Sequence, residues 1–257
     1  MPLDVVLVPC LRDNYAFLLH DQASGATAVV DTPEAEPILE ALDQRGWTLT
    51  YILNTHHHPD HVGGNQRIKD AMGCQVIGPA AERDLIPCID VAVSEGDTVQ
   101  LGQLEAVVWE TPAHTRGHVS YYFHRDDAIF VGDTLFAVGC GRLFEGTAGQ
   151  MWSAMARYRT LPDHTRVYCG HEYTASNIRF ARHIDPDNAS LARREDVVTQ
   201  IRARGEATIP TTIGLERATN PFMRADDPGL ATRVECLGAS PSVVLGEMRE
   251  QKNHFRG

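Results

Sequence analysis

The stretch Asn54–Gly64, NTHHHPDHVGG, decides the fold: four histidines and an aspartate fall within His56–His61, between a hydrophobic run and a glycine pair. A lone histidine is an ordinary surface or core residue, whereas H-x-H-x-D-H at the end of a strand reads as a metal site. Side chains alternate along an extended chain, so His56, His58 and Asp60 are expected on one face, with His57 and Pro59 on the other. A turn forced by Pro59 and eased by Gly63 and Gly64 swings His61 toward the same space from another angle. The stretch can therefore serve two neighbouring ions, His56 and His58 on one, Asp60 and His61 on the other. Imidazole and carboxylate suit zinc, iron or manganese better than calcium or magnesium.

The remaining ligands are expected from other strand ends, because sites assemble in loops at one edge of a sheet. His114 in TPAHTRGH, Asp133 in VGDTLF and His171 in CGHEY each follow an apolar run and sit beside a turn residue. Asp133 has a second reading, as the cap of the turn after AIFVG. His118 reads as a core histidine opening the next strand or as a buttress for a ligand; His20, His124, His164, His183 and His254 read as surface histidines. Spacing alone does not rank His114 above His118.

Outward from the cluster, LTYILN reads as the buried strand that delivers it, and NQRIKDAMG as a short helix after it. Upstream, DVVLVPC, NYAFLLH and ATAVVD read as strands, and EAEPILEALDQRGW as a helix stopped by Gly46. Downstream come CQVIG, LEAVVWET, HVSYYFHR and DAIFVGD, with GDTVQLG as a turn-rich hairpin piece. This irregular alternation predicts layered sheets with helices outside, not a doubly wound arrangement, and no phosphate-cradling glycine motif contradicts that. From Tyr173 the periodicity turns helical, in EYTASNIRFARHI, ASLARREDVVTQIRARG and a final SVVLGEMREQKNHF. A boundary is expected near residue 172, giving segments 1–172 and 173–257.

The 257 residues suffice for a substantial core. The net charge of −11 is uneven: residues 1–172 hold 11 Lys and Arg against 23 Asp and Glu, while 173–257 hold 12 against 11. An acidic bulk is a poor surface for nucleic acid and suits a chain that collects cations. No apolar run is long enough to span a membrane, and the start MPLDVVLVPC lacks the basic region and apolar core of a signal peptide, so a cytoplasmic location is expected. The six cysteines form no C-x-x-C pair and read as reduced thiols in the core.

THHHPDH, TPAHTRGH, GDTLF and CGHEY, in this order, resemble the metallo-β-lactamase superfamily. GDTLFAVGCGRLFEG, RVYCGHEYTASNIRFA, NPFMR and MREQKNHF further resemble the glyoxalase II (hydroxyacylglutathione hydrolase) family along almost the whole chain. The resemblance implies an α/β fold, an αββα sandwich of two facing mixed β-sheets flanked by helices, with a smaller C-terminal helical domain over 173–257. It implies His56, His58 and His114 on one metal, Asp60, His61 and His171 on a second, and Asp133 bridging, with a bridging water or hydroxide. Asp60, His61 and Asp133 are then expected at the catalytic step. Two divalent ions per chain are implied, zinc foremost and iron or manganese acceptable.

The family's glutathione-recognition positions fall on Arg142, Phe144, Tyr173, Arg249 and Lys252, and the three cations are apt for glutathione carboxylates. Relatives carry Lys and Tyr where this chain has Arg142 and Phe144, so the charge is kept and a hydroxyl is lost. The implied reaction is hydrolysis of S-D-lactoylglutathione and related 2-hydroxyacyl-glutathiones to glutathione and a hydroxy acid, the second step of methylglyoxal detoxification, by a monomer with no nucleic-acid or membrane partner. Asp31 and Cys169 stand where they can orient histidines; core capping and simple burial are their other readings. The alternatives are a glutathione persulfide dioxygenase, against which the helical extension and NPFMR argue, a non-catalytic metal-binding module, a β-lactam hydrolase, and a nuclease, which needs a basic face.

Overall fold

The structure, a computed structural model, describes residues 3–257. The chain forms two compact units, the first running to Thr111 and from Thr115 to Gly132, the second comprising Pro112–His114 and Asp133–Gly257.

In the first unit β1 (Asp4–Cys10), β2 (Asn14–His20) and β3 (Thr27–Val30) pair antiparallel in sequence. After helix α1 (Ala35–Arg45), β4 (Tyr51–Leu53) lies parallel to β3; helices α2 (Pro59–Val62) and α3 (Asn65–Met72) follow, and then β5 (Gln75–Pro79) and β6 (Val91–Val93), each parallel to the strand before it. The parallel strands are short and β-branched because both their faces are covered. Ala16, Leu18, Val29 and Ile52 share a core with Ile38 and Leu42 of α1 and Ile68 of α3. On the opposite face of β2, Phe17 meets Phe130 with ring centroids 5.7 Å apart. Phe130 belongs to an antiparallel run of β7 (Thr98–Leu101), β8 (Leu104–Glu110), β9 (Val119–Phe123) and β10 (Ala128–Gly132). GDTVQLG is thus the first arm of a hairpin.

The cluster hangs where β4 ends at Leu53, at the carboxyl edge of the parallel strands, where open α/β sheets place their sites. Helical backbone resumes at Pro59, which takes the first helical position, where its missing N–H costs nothing. The strand period therefore ends before the histidines, at Leu53. Asp60 is set by the first turn of α2 and not, as the extended reading expects, by the strand period. Gly63 and Gly64 are required by close approach: a Cβ on Gly63 would stand 2.8 Å from the Pro59 carbonyl oxygen, and one on Gly64 3.0 Å from the Ala35 nitrogen.

The second unit opens with the hairpin of β11 (Leu135–Phe136) and β12 (Gly139–Cys140), followed by α4 (Ala148–Tyr158) and β13 (Arg166–Cys169). Then come α5 (Thr174–Ile184), α6 (Ala189–Ala203), β14 (Thr211–Thr212) antiparallel to β13, α7 (Ile213–Thr219), α8 (Pro228–Arg233) and α9 (Pro241–His254). Val138 packs with Ile178, Ala181, Leu191 and Val198, which joins the hairpin to α5 and α6. Glu216, fully buried, binds the Val138 N–H, Asn220, Thr211 and Arg194, so its charge is paired and its oxygens are used. Among the described residues no helix is long and apolar enough to cross a membrane, and all six cysteines are free.

Candidate metal centre

Asp31, just past β3, organises the histidines of the first unit. It adopts a left-handed backbone, φ 55°, which aspartate tolerates better than branched residues. One carboxylate oxygen accepts the Thr55 N–H at 2.8 Å; the other accepts both the Thr55 hydroxyl and the His61 Nδ1–H at 2.8 Å. With its proton committed to Asp31, Thr55 Oγ1 accepts from His56 Nδ1 at 3.0 Å. Both imidazoles are thereby fixed as Nδ1–H tautomers, leaving the Nε2 lone pairs for a cation. Donor atoms of Asp31, His56 and His61 lie within 4.8 Å of one another; Asp31's bonds make it the orienting carboxylate of that group. Of its two sequence readings, this is the one its contacts fit.

Around this core, His56 Nε2 lies 3.1 Å from His58 Nδ1, and the His56 and His61 ring centroids are 4.1 Å apart. Asn14 donates to the Asp60 carbonyl at 3.0 Å and to its carboxylate at 3.1 Å, aiming that side chain. Buried Asn54 and Asn65 bind each other, and Asn54 also binds the His61 carbonyl. His118 stacks on His56 at 4.9 Å, with its Nδ1 3.1 Å from Thr111 Oγ1. It is the buttress, on a β9-side position. His57 is turned to Glu82, its Nδ1 2.9 Å from the carboxylate. Asn14 and Glu82 carry no sequence signal, since each is an ordinary polar residue outside any motif; Thr55 stands inside THHHPDH, but its link to Asp31 depends on the fold.

In the second unit His114 Nε2 and His171 Nε2 each lie 3.4 Å from the same oxygen of Asp133. His114 Nδ1–H donates to the Arg142 carbonyl at 2.9 Å, so its Nε2 presents a lone pair toward an anion. Two electron-rich atoms at that distance repel unless a cation lies with them; the donor set fits a divalent metal. Gly141 permits this packing, since a Cβ there would meet the Asp133 carbonyl oxygen at 2.0 Å. Tyr173 lies flat on His171, 4.6 Å between centroids and 5° between planes. Cys169 is fully buried, its thiol pushed up to about 12 by burial, and it points at the His171 carbonyl rather than the ring, so its role is burial.

Arg142, Phe144 and Arg249 line one cleft of about 340 Å³ together with Leu143, Gly246 and Asn253. Arg142 and Phe144 are exposed, and the Phe144 ring lies 5.2 Å from that of His114. Arg249 is buried, which lowers its pKa, and it donates to the Cys140 carbonyl at 2.8 Å. Lys252, three residues on along α9, donates to the Ser176 carbonyl at 2.9 Å beneath Phe180 and Phe255. Burial, with Arg249 and Arg179 nearby, brings its ammonium down to about 8.

Residues 13–171 match the metallo-beta-lactamase superfamily and residues 172–255 match the hydroxyacylglutathione hydrolase C-terminus. The chain is 53% identical to the hydroxyacylglutathione hydrolase of Bradyrhizobium sp. (strain ORS 278), over 98% of this chain and 99% of the relative. It is 51% identical to that of Methylococcus capsulatus, over 99% and 100%. Among solved structures it is similar to ETHE1 from Myxococcus xanthus, with a TM-score of 0.70 and 26% identity over 100% of this chain and 93% of that one. The fold is therefore the metallo-β-lactamase sandwich with a helical C-terminal region, as the sequence resemblance implies. The chain belongs to the hydroxyacylglutathione hydrolase family of the metallo-β-lactamase superfamily.

Proposed function

We infer that this chain hydrolyses glutathione thioesters, S-D-lactoylglutathione first among them, to glutathione and D-lactate, as the second step of methylglyoxal detoxification. The observation that carries the reading is the full-length identity to hydroxyacylglutathione hydrolases, including the C-terminal match over 172–255. The cleft that groups Arg142, Phe144 and Arg249 supports it.

In this reading His56, His58 and His114 would hold one ion, Asp60, His61 and His171 would hold a second, and Asp133 would serve both. Residues 1–172 form the catalytic domain and 173–257 the substrate-binding domain. Zinc is the expected metal, and the donor set accepts iron or manganese. Divalent ions, when bound there, would supply water that ionises near neutral pH and would polarise the substrate carbonyl. The chain's own contribution is orientation. Asp31 and Thr55 fix two imidazole tautomers, Asn14 aims Asp60, and the Arg142 carbonyl fixes His114. Arg142, Arg249 and Lys252 face the substrate carboxylates, and Tyr173 supports His171 while contacting the thiol end. Glutathione leaves as a thiolate of pKa near 8.5, so no separate general acid is needed. The protein is proposed to work as a cytoplasmic monomer without a nucleic-acid or membrane partner; a sedimentation run and fractionation check this.

The deciding experiment incubates purified, zinc-loaded protein with S-D-lactoylglutathione and follows thiol release, with elemental analysis of the same sample. Thiol release and about two ions per chain are expected. An intact thioester alongside cleavage of a lactone or lactam overturns the substrate class. Oxygen uptake with glutathione persulfide and one iron per chain would replace the reading with a dioxygenase.

A further inference from the structure

His57 is the histidine of the cluster that the metal reading leaves without a task. Its backbone N–H donates to Glu82 Oε2 at 2.7 Å, and its Nδ1 lies 2.9 Å from the same oxygen. The other oxygen of Glu82 accepts the Gly117 N–H at 2.8 Å. Glu82 closes the short 3-10 turn Ala80–Glu82 and is 2% exposed. A buried carboxylate is costly unless its oxygens are bonded, and here each oxygen takes a backbone donor from a different segment. The fit around Gly117 is close: a Cβ there would stand 2.6 Å from Glu82 Cγ and 2.8 Å from Ala81 Cβ.

Those two donors bracket His56. His57 follows it directly in the chain, and Gly117 precedes His118, whose ring lies on the His56 imidazole at 4.9 Å and 27°. From this geometry we infer that Glu82 is a positioning residue for the metal ligands, clamping the His56–His58 backbone and the Gly117–His118 segment together so that His56 is held through both its chain and its ring face. His57 is then the residue whose backbone is gripped, which gives it a place in the cluster without a metal. Asp31 sets the tautomer of His56 through Thr55; Glu82 sets where that ring stands.

The test is Glu82→Gln. Glutamine offers one acceptor oxygen, and its amide must face one of the two N–H groups, so one arm of the clamp is lost while the volume is kept. Competition for zinc against a chromophoric chelator is expected to show an apparent Kd raised about 10–100-fold, the range seen when groups supporting metal ligands are removed. The rise in Tm on adding zinc is expected to shrink, and KM at saturating zinc to change less than about twofold. Unchanged zinc affinity overturns the clamp. So does an equal fall in Tm of the zinc-free and zinc-loaded forms, which is the signature of a purely structural glutamate. If Glu82→Gln does not fold, Glu82→Asp is measured with the same criteria, since it keeps the charge and is too short to span both donors. The inference rests on the metal reading above. A wild-type chain that takes up no zinc sinks that reading, whereas equal affinity in wild type and variant sinks the clamp alone.

Discussion

The histidine cluster and the cleft of Arg142, Phe144 and Arg249 are held in different ways. Around the cluster, Asp31 and Glu82 are each 2% exposed and spend both oxygens on fixed donors, and Asn54 and Asn65 are fully buried partners. At the other site Arg142 and Phe144 stand in solvent, while Arg249 is buried on the Cys140 carbonyl and Lys252 has a carbonyl contact beneath two aromatic rings. Metal ligands must be right to a few tenths of an ångström, which takes locked rotamers and satisfied buried polar groups. On the proposed function, a flexible substrate with carboxylates would be met by an exposed cation that can adjust, Arg142, beside a fixed one, Arg249. The contrast predicts that damage near the cluster appears in metal affinity, and damage at α9 in KM.

The largest effect is expected from Asp133→Ala. His114 Nε2 and His171 Nε2 both face one Asp133 oxygen at 3.4 Å. Removing it is expected to lower metal content and to cut the rate by more than about 100-fold, beyond what loss of a supporting residue costs. A fully loaded, active variant would break the bridging assignment.

Next is Asp31→Asn, which keeps the shape and deletes the charge that receives Thr55 and His61. An amide in place of the carboxylate puts an N–H against one of those donors, so one imidazole loses its tautomer lock. Zinc affinity is expected to fall about 10–100-fold by chelator competition, with KM little changed. A raised KM at unchanged affinity would contradict the division of labour between the two regions.

Much of this contrast is legible in the sequence, and the missing part has a physical reason. The cluster, His114, Asp133 and His171 stand out because metal-binding residue types at strand ends are rare outside sites. What escapes is whatever depends on the third dimension. Glu82 lies 25 residues from His57 in an unremarkable AAER segment, and Asn14 lies 46 from Asp60. Helix α4 goes unread although Met151, Ala154, Met155 and Tyr158 recur at helical spacing; that stripe and the Thr147 and Gln150 capping box are the signals that mark it. The strands β6, β11, β12 and β14 are two or three residues each, too short for any period.

At the recognition end, Lys252→Ala is expected to raise KM about 10-fold, the scale of one charge-assisted hydrogen bond, with kcat within about twofold. The ammonium, brought down to about 8 by burial with Arg249 and Arg179 nearby, is charged below that pH and neutral above it. In wild type KM should therefore be lowest below pH 8 and rise as pH climbs through it, while Lys252→Arg, which stays charged, should flatten the rise. A KM independent of pH from 7 to 9.5, on the order of one unit either side of that value, removes Lys252 from the site.

The smallest effect tests Phe144. Phe144 is 60% exposed, lines the cleft with Arg142 and Arg249, and its ring lies 5.2 Å from that of His114, so it already offers an apolar wall beside a proposed ligand. Phe144→Tyr adds a hydroxyl to a half-solvated ring without removing that wall. A new hydrogen bond to substrate contributes about 0.5–1.5 kcal/mol net, which corresponds to a KM lower by roughly 2-fold to 10-fold. Metal content should not move, because the His114 tautomer is set by the Arg142 carbonyl and not by Phe144. A lower KM at constant zinc affinity places position 144 with the recognition group. Weaker zinc binding in Phe144→Tyr would instead tie the ring to His114, and the boundary between the two regions would have to be drawn on the recognition side of it.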